Sequence, residues 1–117
     1  MYEHLIVKEH GRLVEVHLNR PQVRNALSRA LMREITALAR ALSDRTDIDV
    51  VILTGDARCF SAGADLNDAQ AWADDSLSTV QRRDIAGTGF RMCKAWEEMP
   101  QITIAAIGRG ISGTGAN

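Results

Sequence analysis

Val50-Val51-Ile52-Leu53-Thr54-Gly55, followed shortly by Ser61-Ala62-Gly63-Ala64-Asp65-Leu66, is the stretch on which the reading of this chain turns. Its first part is apolar and β-branched and reads as a buried strand. Gly55-Asp56 ends that strand with a turn or loop signal. Its second part is a row of small residues closing on an acid and a leucine. Small side chains leave backbone N–H groups accessible, Gly63 can take a positive φ, and Asp65 can cap a helical turn. Amides held this way suit an oxyanion, because they are aimed before negative charge develops. The same residues also make a plain turn after a strand, the commoner outcome for such a composition.

Upstream, Leu5-Ile6-Val7-Lys8-Glu9 reads as a strand, His10-Gly11-Arg12 as a turn, and Leu13 to Leu18 as a second strand with Val14, Val16 and Leu18 on one face. Together they form a hairpin. Pro21 stops the pairing, since it has no N–H to give a ladder. Ser28 is an N-cap residue. Beyond it, Leu31, Ile35, Leu38 and Leu42 recur at three- and four-residue spacing, which predicts an amphipathic helix from about Arg29 to Ser43. Asp44 to Asp49 is a polar loop leading into the strand at Val50.

Downstream of Leu66 the chain turns polar through Asp68 and Asp74-Asp75, and reads as a mobile loop. A second helix begins at about Ser78, with Val80, Ile85, Met92, Trp96 and Met99 as its apolar positions, and Pro100 ends it. Gly87 and Gly89 interrupt it at a cost of ~1 kcal/mol each relative to alanine. They mark either a close backbone approach or a weak helix. Ile102 to Ile107 reads as a buried strand, and a glycine-rich run follows. The class is α/β, with no internal repeat, low-complexity segment or interdomain linker.

A chain of 117 residues suits one small domain. Aromatic residues make up only 4%, so the core must be aliphatic. A net charge of −1 gives no basic surplus for nucleic acid. Cys59 and Cys93 fall in unrelated elements and match no metal spacing, so they read as reduced thiols in a cytoplasmic protein. The first residues lack the features of a signal peptide, and no apolar run reaches the length of a membrane span. His4, His10 and His17 all fall in the hairpin and read as exposed or strand-face residues without a catalytic role.

Three ordered segments carry a resemblance. Leu18-Asn19-Arg20-Pro21 with Asn25-Ala26-Leu27-Ser28, then Val50 to Gly55 with Cys59 to Leu66, then Pro100 to Ile107 with the glycines after it, resemble the enoyl-CoA hydratase/isomerase (crotonase) superfamily. The likeness runs from about Leu5 to Asn117 and covers the N-terminal half of that family's usual length. It implies that residues 1–117 form a partial domain, the N-terminal half of a ββα spiral, and that the chain is a truncated product or gene fragment with strands unpaired and apolar faces open. It implies chemistry on an acyl-CoA thioester, with coenzyme A as part of the substrate and no separate cofactor or metal. Family members are usually homo-oligomers.

By the same resemblance, the backbone N–H groups of Ala64 and Thr114 form an oxyanion hole. Ala26, Ala62, Ala64, Asp65 and Leu66 line the coenzyme A site. Arg24 stands where a base often lies near the coenzyme's phosphates, and a solvated loop arginine fits it as well. Asn117 occupies the position of the hydratase glutamate, and an amide cannot take a proton from water. Whether the chain is an enzyme therefore stays open. One alternative is a non-catalytic acyl-CoA binder or interaction protein. Another rests on Gly108-Arg109-Gly110-Ile111-Ser112-Gly113, which fits the dinucleotide fingerprint of an oxidoreductase. That fingerprint calls for a following helix and an acid ~20 residues on, and neither follows within the sequence. A nucleophile elbow at Ser112 fails because Thr114 stands where its second glycine belongs.

Overall fold

The computed structural model describes residues 2–55, 61, 63, 65 and 76–106. Strands β1 (Leu5–His10) and β2 (Leu13–Leu18) pair antiparallel, with Leu5 opposite Leu18 and His10 opposite Leu13. Gly11 closes this hairpin at φ 62°, a region that costs an L-residue with a Cβ. Strand β3 (Val50–Thr54) joins β2 in parallel, and β4 (Ile102–Ala106) joins β3 in parallel. The sheet order is β1-β2-β3-β4. Parallel neighbours need crossover connections. Helix α1 (Arg29–Ser43) lies in the first and α2 (Thr79–Glu97) in the second.

Both helices start as the sequence predicts. The Ser28 hydroxyl accepts from the Leu31 N–H at 3.1 Å. Ser78 and Gln81 satisfy each other's backbone N–H groups in a capping box. Helix α1 turns Leu31, Ile35, Leu38, Ala39 and Leu42 onto Val14, Val16, Leu18 and Val51 of the sheet, and Ala95 and Met99 complete this core. The core is aliphatic, as composition requires.

Three expectations are corrected. Val80 is 76% exposed rather than buried. The inward stripe of α2 starts at Ile85 and continues through Thr88, Met92 and Ala95. Val80 precedes Ile85 by five residues, about 140° around the helix. The β3 run is buried only at Val51, because α1 covers one face of the sheet and the alternate residues Val50 and Ile52 face away. Strand β4 is exposed along its described length, with Ile102 at 65% and Ile104 at 47%. It bonds to β3 on one side, and neither helix reaches over it among the described residues. At Gly89 a Cβ would lie 3.6 Å from Met32 Sδ, an ordinary contact, so a close approach does not demand glycine there.

The loop between α1 and β3 is clasped to the hairpin turn. The Arg12 carbonyl accepts from the N–H groups of Asp49 and Val50, and the Arg12 guanidinium holds the Asp49 carboxylate. Arg45 bridges Glu9 and Asp47. Gln101 Nε2 donates to the Leu42 carbonyl at 2.6 Å and to the Arg45 carbonyl at 3.1 Å. Carbonyls at a helix C-terminus lack intrahelical partners, so this buried amide caps α1 and ties the entry of β4 to it. No helix among the described residues is long and apolar enough to cross a membrane.

Replacing Gln101 with Met should remove about 1 kcal/mol of stability, since it deletes both amide hydrogen bonds while the Leu42 carbonyl keeps the Arg45 N–H at 3.0 Å. Urea unfolding measures this, and a neutral outcome would contradict the capping role. A second expectation concerns acid. The hydrogen bond from Arg45 holds Asp47 down from 3.8 to about 2. The hydrogen bond from Arg12 lowers Asp49. Burial pushes Glu15 up, but its hydrogen bonds to His17 and His10 outweigh that and lower it overall. Carboxylates depressed in the folded state stabilise it above their ordinary values, and that contribution is lost as pH falls through the folded ones. The urea midpoint should therefore drop between pH 3.8 and about 2. These pairs are exposed, so the drop is small and shrinks in salt. Asp47→Asn should make it shallower; an unchanged acid limb would contradict the assignment.

Candidate functional site

The site is built where the chain leaves β2 and where it leaves β3. After Leu18 the Asn19 N–H bonds the His4 carbonyl, and Pro21–Val23 form a single 3-10 turn with proline at its start. Arg24 and Asn25 then sit at φ 55° and 57°. Such left-handed positions cost a non-glycine residue ~1–3 kcal/mol each. Asparagine tolerates them best, and Asn25 recovers the cost through its contacts. It is fully buried. Its Oδ1 accepts from the Arg20 N–H at 2.7 Å, and its own N–H donates to the Arg20 carbonyl at 2.8 Å.

That turn carries Leu27 up to the small-residue loop. The Leu27 N–H donates to the Gly63 carbonyl at 2.7 Å, and the Leu27 carbonyl accepts from the Asp65 N–H at 3.2 Å. Ser61, almost wholly buried, donates its hydroxyl to the Asn25 carbonyl at 2.9 Å and accepts from the Gly63 N–H at 3.1 Å. Gly63 sits at φ 93°, where a side chain would be strained. Two segments more than thirty residues apart are thus joined by backbone bonds on both sides of position 64.

Arg20 lies across this junction. Its Nη1 donates to the Ala26 carbonyl at 2.5 Å and to Asp65 Oδ2 at 3.1 Å. The side chains of the pair are only 13% and 12% exposed. Desolvation offsets much of the attraction in such a pair, so it orients more than it stabilises. Arg20 Nε is buried without a hydrogen-bond partner among the described residues.

Of the residues expected at the site, Ala26 is buried with its carbonyl held by Arg20, and Asp65 is brought to the same guanidinium. Arg24 faces solvent and forms no ion pair among the described residues. Ala62, Ala64, Leu66, Thr114 and Asn117 lie outside the described residues, as do Cys59, the polar loop after Leu66 and the glycine-rich run after Ile107. Sequence reasoning missed the roles of Arg20, Asn25 and Ser61. An Asn three residues before a helix N-cap is a signal for a left-handed turn. Nothing in the spacing pairs Arg20 with Asp65.

The histidines lie beside glutamates. His10 and His17 approach the two oxygens of Glu15 at 2.5 and 3.3 Å, and the His4 N–H donates to the Glu34 carboxylate. Glu3, His4 and Glu34 form the one group among the described residues whose ligand atoms, all within 4.8 Å of one another, fit a metal ion. The His4 amide already occupies both oxygens of Glu34, and Glu3 is exposed. A groove of about 520 Å³ between α1 and α2, lined by Arg40, Phe90, Arg91 and Lys94 among others, shares no residue with the Gly63 junction.

Known proteins share this fold and sequence pattern. The sequence profile of the enoyl-CoA hydratase/isomerase family matches residues 8–117. Crotonyl-CoA hydratase of Syntrophomonas wolfei is 30% identical over 107 residues, which is 91% of this chain and 39% of that protein. Mitochondrial Delta(3,5)-Delta(2,4)-dienoyl-CoA isomerase of Mus musculus is 32% identical over 111 residues, covering 90% of this chain and 34% of the isomerase. The crystal structure of an enoyl-CoA hydratase from Bacillus anthracis superposes with a TM-score of 0.77 at 30% identity, over 91% of this chain and 40% of that one. The chain thus spans between a third and two fifths of the length of these relatives. With the profile matched along nearly all of its length and the fold shared, the chain belongs to the enoyl-CoA hydratase/isomerase family.

Proposed function

We propose that the chain carries an acyl-CoA thioester site in which the amides of Ala64 and Thr114 hold the thioester oxygen as it becomes an enolate-like oxyanion. One observation carries this reading. The Gly63 carbonyl is turned onto the Leu27 N–H. In a planar trans peptide the C=O and the N–H point in opposite directions. The face of that peptide opposite Leu27 is therefore the side from which a thioester oxygen would be met. A donor fixed before charge develops costs no reorganisation when the bond is made. Ala26 and Asp65, gathered by Arg20, form the neighbouring wall, and the exposed Arg24 is free to meet the coenzyme's phosphates. The hydratase of Syntrophomonas wolfei and the mouse isomerase are both named for coenzyme A esters, which supports the same substrate class.

Proton transfer is a separate requirement. Hydration needs a base for water, and the residue at the expected glutamate position is Asn117. Asp65 is no substitute while its carboxylate is held by Arg20. Asn117 favours a second reading within the same site: binding and polarising the thioester without adding water, as a non-catalytic acyl-CoA binder would. We place this activity in the cytoplasm.

Calorimetry tests the ligand. Acetoacetyl-CoA should bind the 117-residue chain and NAD should not, and Gly63→Val should weaken acetoacetyl-CoA at least ~10-fold, because φ 93° excludes a β-branched residue. Binding of NAD without binding of the CoA ester would overturn the proposal in favour of the dinucleotide reading. With crotonyl-CoA, the chain should show no hydration above background. Turnover that survives repurification would mean that some carboxylate other than one at position 117 moves the proton.

A further inference from the structure

We propose that Glu3, His4 and Glu34 form a site for one divalent transition-metal ion of the zinc class, which clips the segment ahead of β1 to helix α1. Among the described residues these three alone bring metal-ligating atoms together, all within 4.8 Å of one another. His4 Nε2 lies 3.8 Å from Glu3 Oε2 and 4.0 Å from Glu34 Oε2. A tetrahedral ion with bonds of ~2.0–2.2 Å sets its ligand atoms roughly 3.4 Å apart. The two imidazole–carboxylate separations exceed that spacing by about half an ångström, which small side-chain rotations supply. Two carboxylates and a neutral imidazole carry the charge that a divalent ion balances. The imidazole nitrogen suits zinc, copper, iron and nickel rather than magnesium or calcium.

Two of the three ligands are already positioned. Glu34 lies on α1 and His4 in the bend that leads into β1, with side chains 17% and 21% exposed. The His4 N–H donates to Glu34 Oε1 at 3.0 Å and to Oε2 at 3.2 Å. That shared bond takes one lone pair of each oxygen and leaves the other for a metal. Hydrogen bonds of this kind orient the carboxylates that ligate metals. The His4 carbonyl accepts from the Asn19 N–H at 2.8 Å, so backbone bonds hold His4 on both sides. Glu3, 84% exposed, is the arm that closes on the ion, with water at the position left over. An ion held here crosslinks residues thirty positions apart and, through the His4 carbonyl, steadies the point where the chain leaves β2. It takes no part in the thioester chemistry, for which no metal is expected. The rival arrangement is an imidazolium ion-paired with both carboxylates, which needs no metal.

The test titrates zinc chloride into the untagged 117-residue chain after chelator treatment, by calorimetry and by thermal unfolding followed with circular dichroism. One zinc ion should bind per chain. The unfolding midpoint should rise with zinc concentration, because the ion binds the folded state. EDTA should reverse the rise, and magnesium at the same concentration should give none. Loss of a residue that merely supports a metal ligand weakens binding ~10–100-fold, so loss of a ligand itself in His4→Gln or Glu34→Gln should weaken zinc at least ~10-fold. Glu34→Gln keeps an acceptor for the His4 N–H, which separates loss of the metal from loss of the fold. Glu3→Gln should weaken zinc less than either, since Glu3 is the exposed arm. Zinc that binds His4→Gln as tightly as the parent chain would sit elsewhere, for instance on His10 and His17 about Glu15, and would overturn the proposal. A parent chain that binds no zinc and keeps its midpoint would overturn it in favour of the imidazolium pair.

Discussion

The two backbone bonds of Leu27 are the constraint on which the rest of the site depends. One residue, just ahead of helix α1, gives its N–H to Gly63 and takes the N–H of Asp65. That fixes the loop leaving β3 against the segment leaving β2. It works because each partner is itself held. Leu27 is placed by the left-handed turn at Arg24 and Asn25, and by Ser28, which starts the helix on the next residue. Gly63 is placed by the Ser61 hydroxyl and by a φ that only glycine adopts without strain. The local strain is concentrated at this junction, where buried hydrogen bonds over-determine the backbone.

The scaffold beneath it is asymmetric. Helix α1 and the inner end of α2 cover one face of β1 to β3, and the aliphatic core lies there. Strand β4 completes the parallel order without receiving that cover. Among the described residues β4 is an edge of the sheet with Ile102 and Ile104 exposed, and such an edge is a template for further pairing. Structural relatives extend well beyond the portion this chain matches. The junction at Leu27 is tied into α1 through the Ser28 cap, and Leu27 packs against the covered core.

Much of the scaffold was legible in the residues. Period-two alternation in Leu13 to Leu18, the Leu31-Ile35-Leu38-Leu42 stripe, the Ser28 cap and the helix start near Ser78 each reflect local chemistry, and each element formed where local chemistry put it. Burial was legible only where a neighbour supplied it. Ile102 and Ile104 have the composition of a buried strand, but burial depends on what packs above, which the strand's own residues do not encode. Val80 was misplaced because its helix's inward face is set by contact with α1 rather than by its apolar residues alone. At the site, Gly63 and Asp65 stood out as small-residue and acid signals within one short stretch. Arg20 did not, since its partner lies 45 residues away and no periodicity connects them. Asn25 and Ser61 act through backbone groups, which leave a weak trace in sequence.

The central claim is that the Leu27 bond aims the next amide at a thioester oxygen. A crystal structure of the chain with acetoacetyl-CoA tests it most directly. The account predicts the thioester oxygen about 2.7–3.1 Å from the Ala64 nitrogen, on the side of the Gly63 peptide opposite Leu27, with the Leu27–Gly63 bond retained. A ligand whose oxygen lies on the Leu27 side, or a Gly63 peptide that has flipped to reach it, would contradict it.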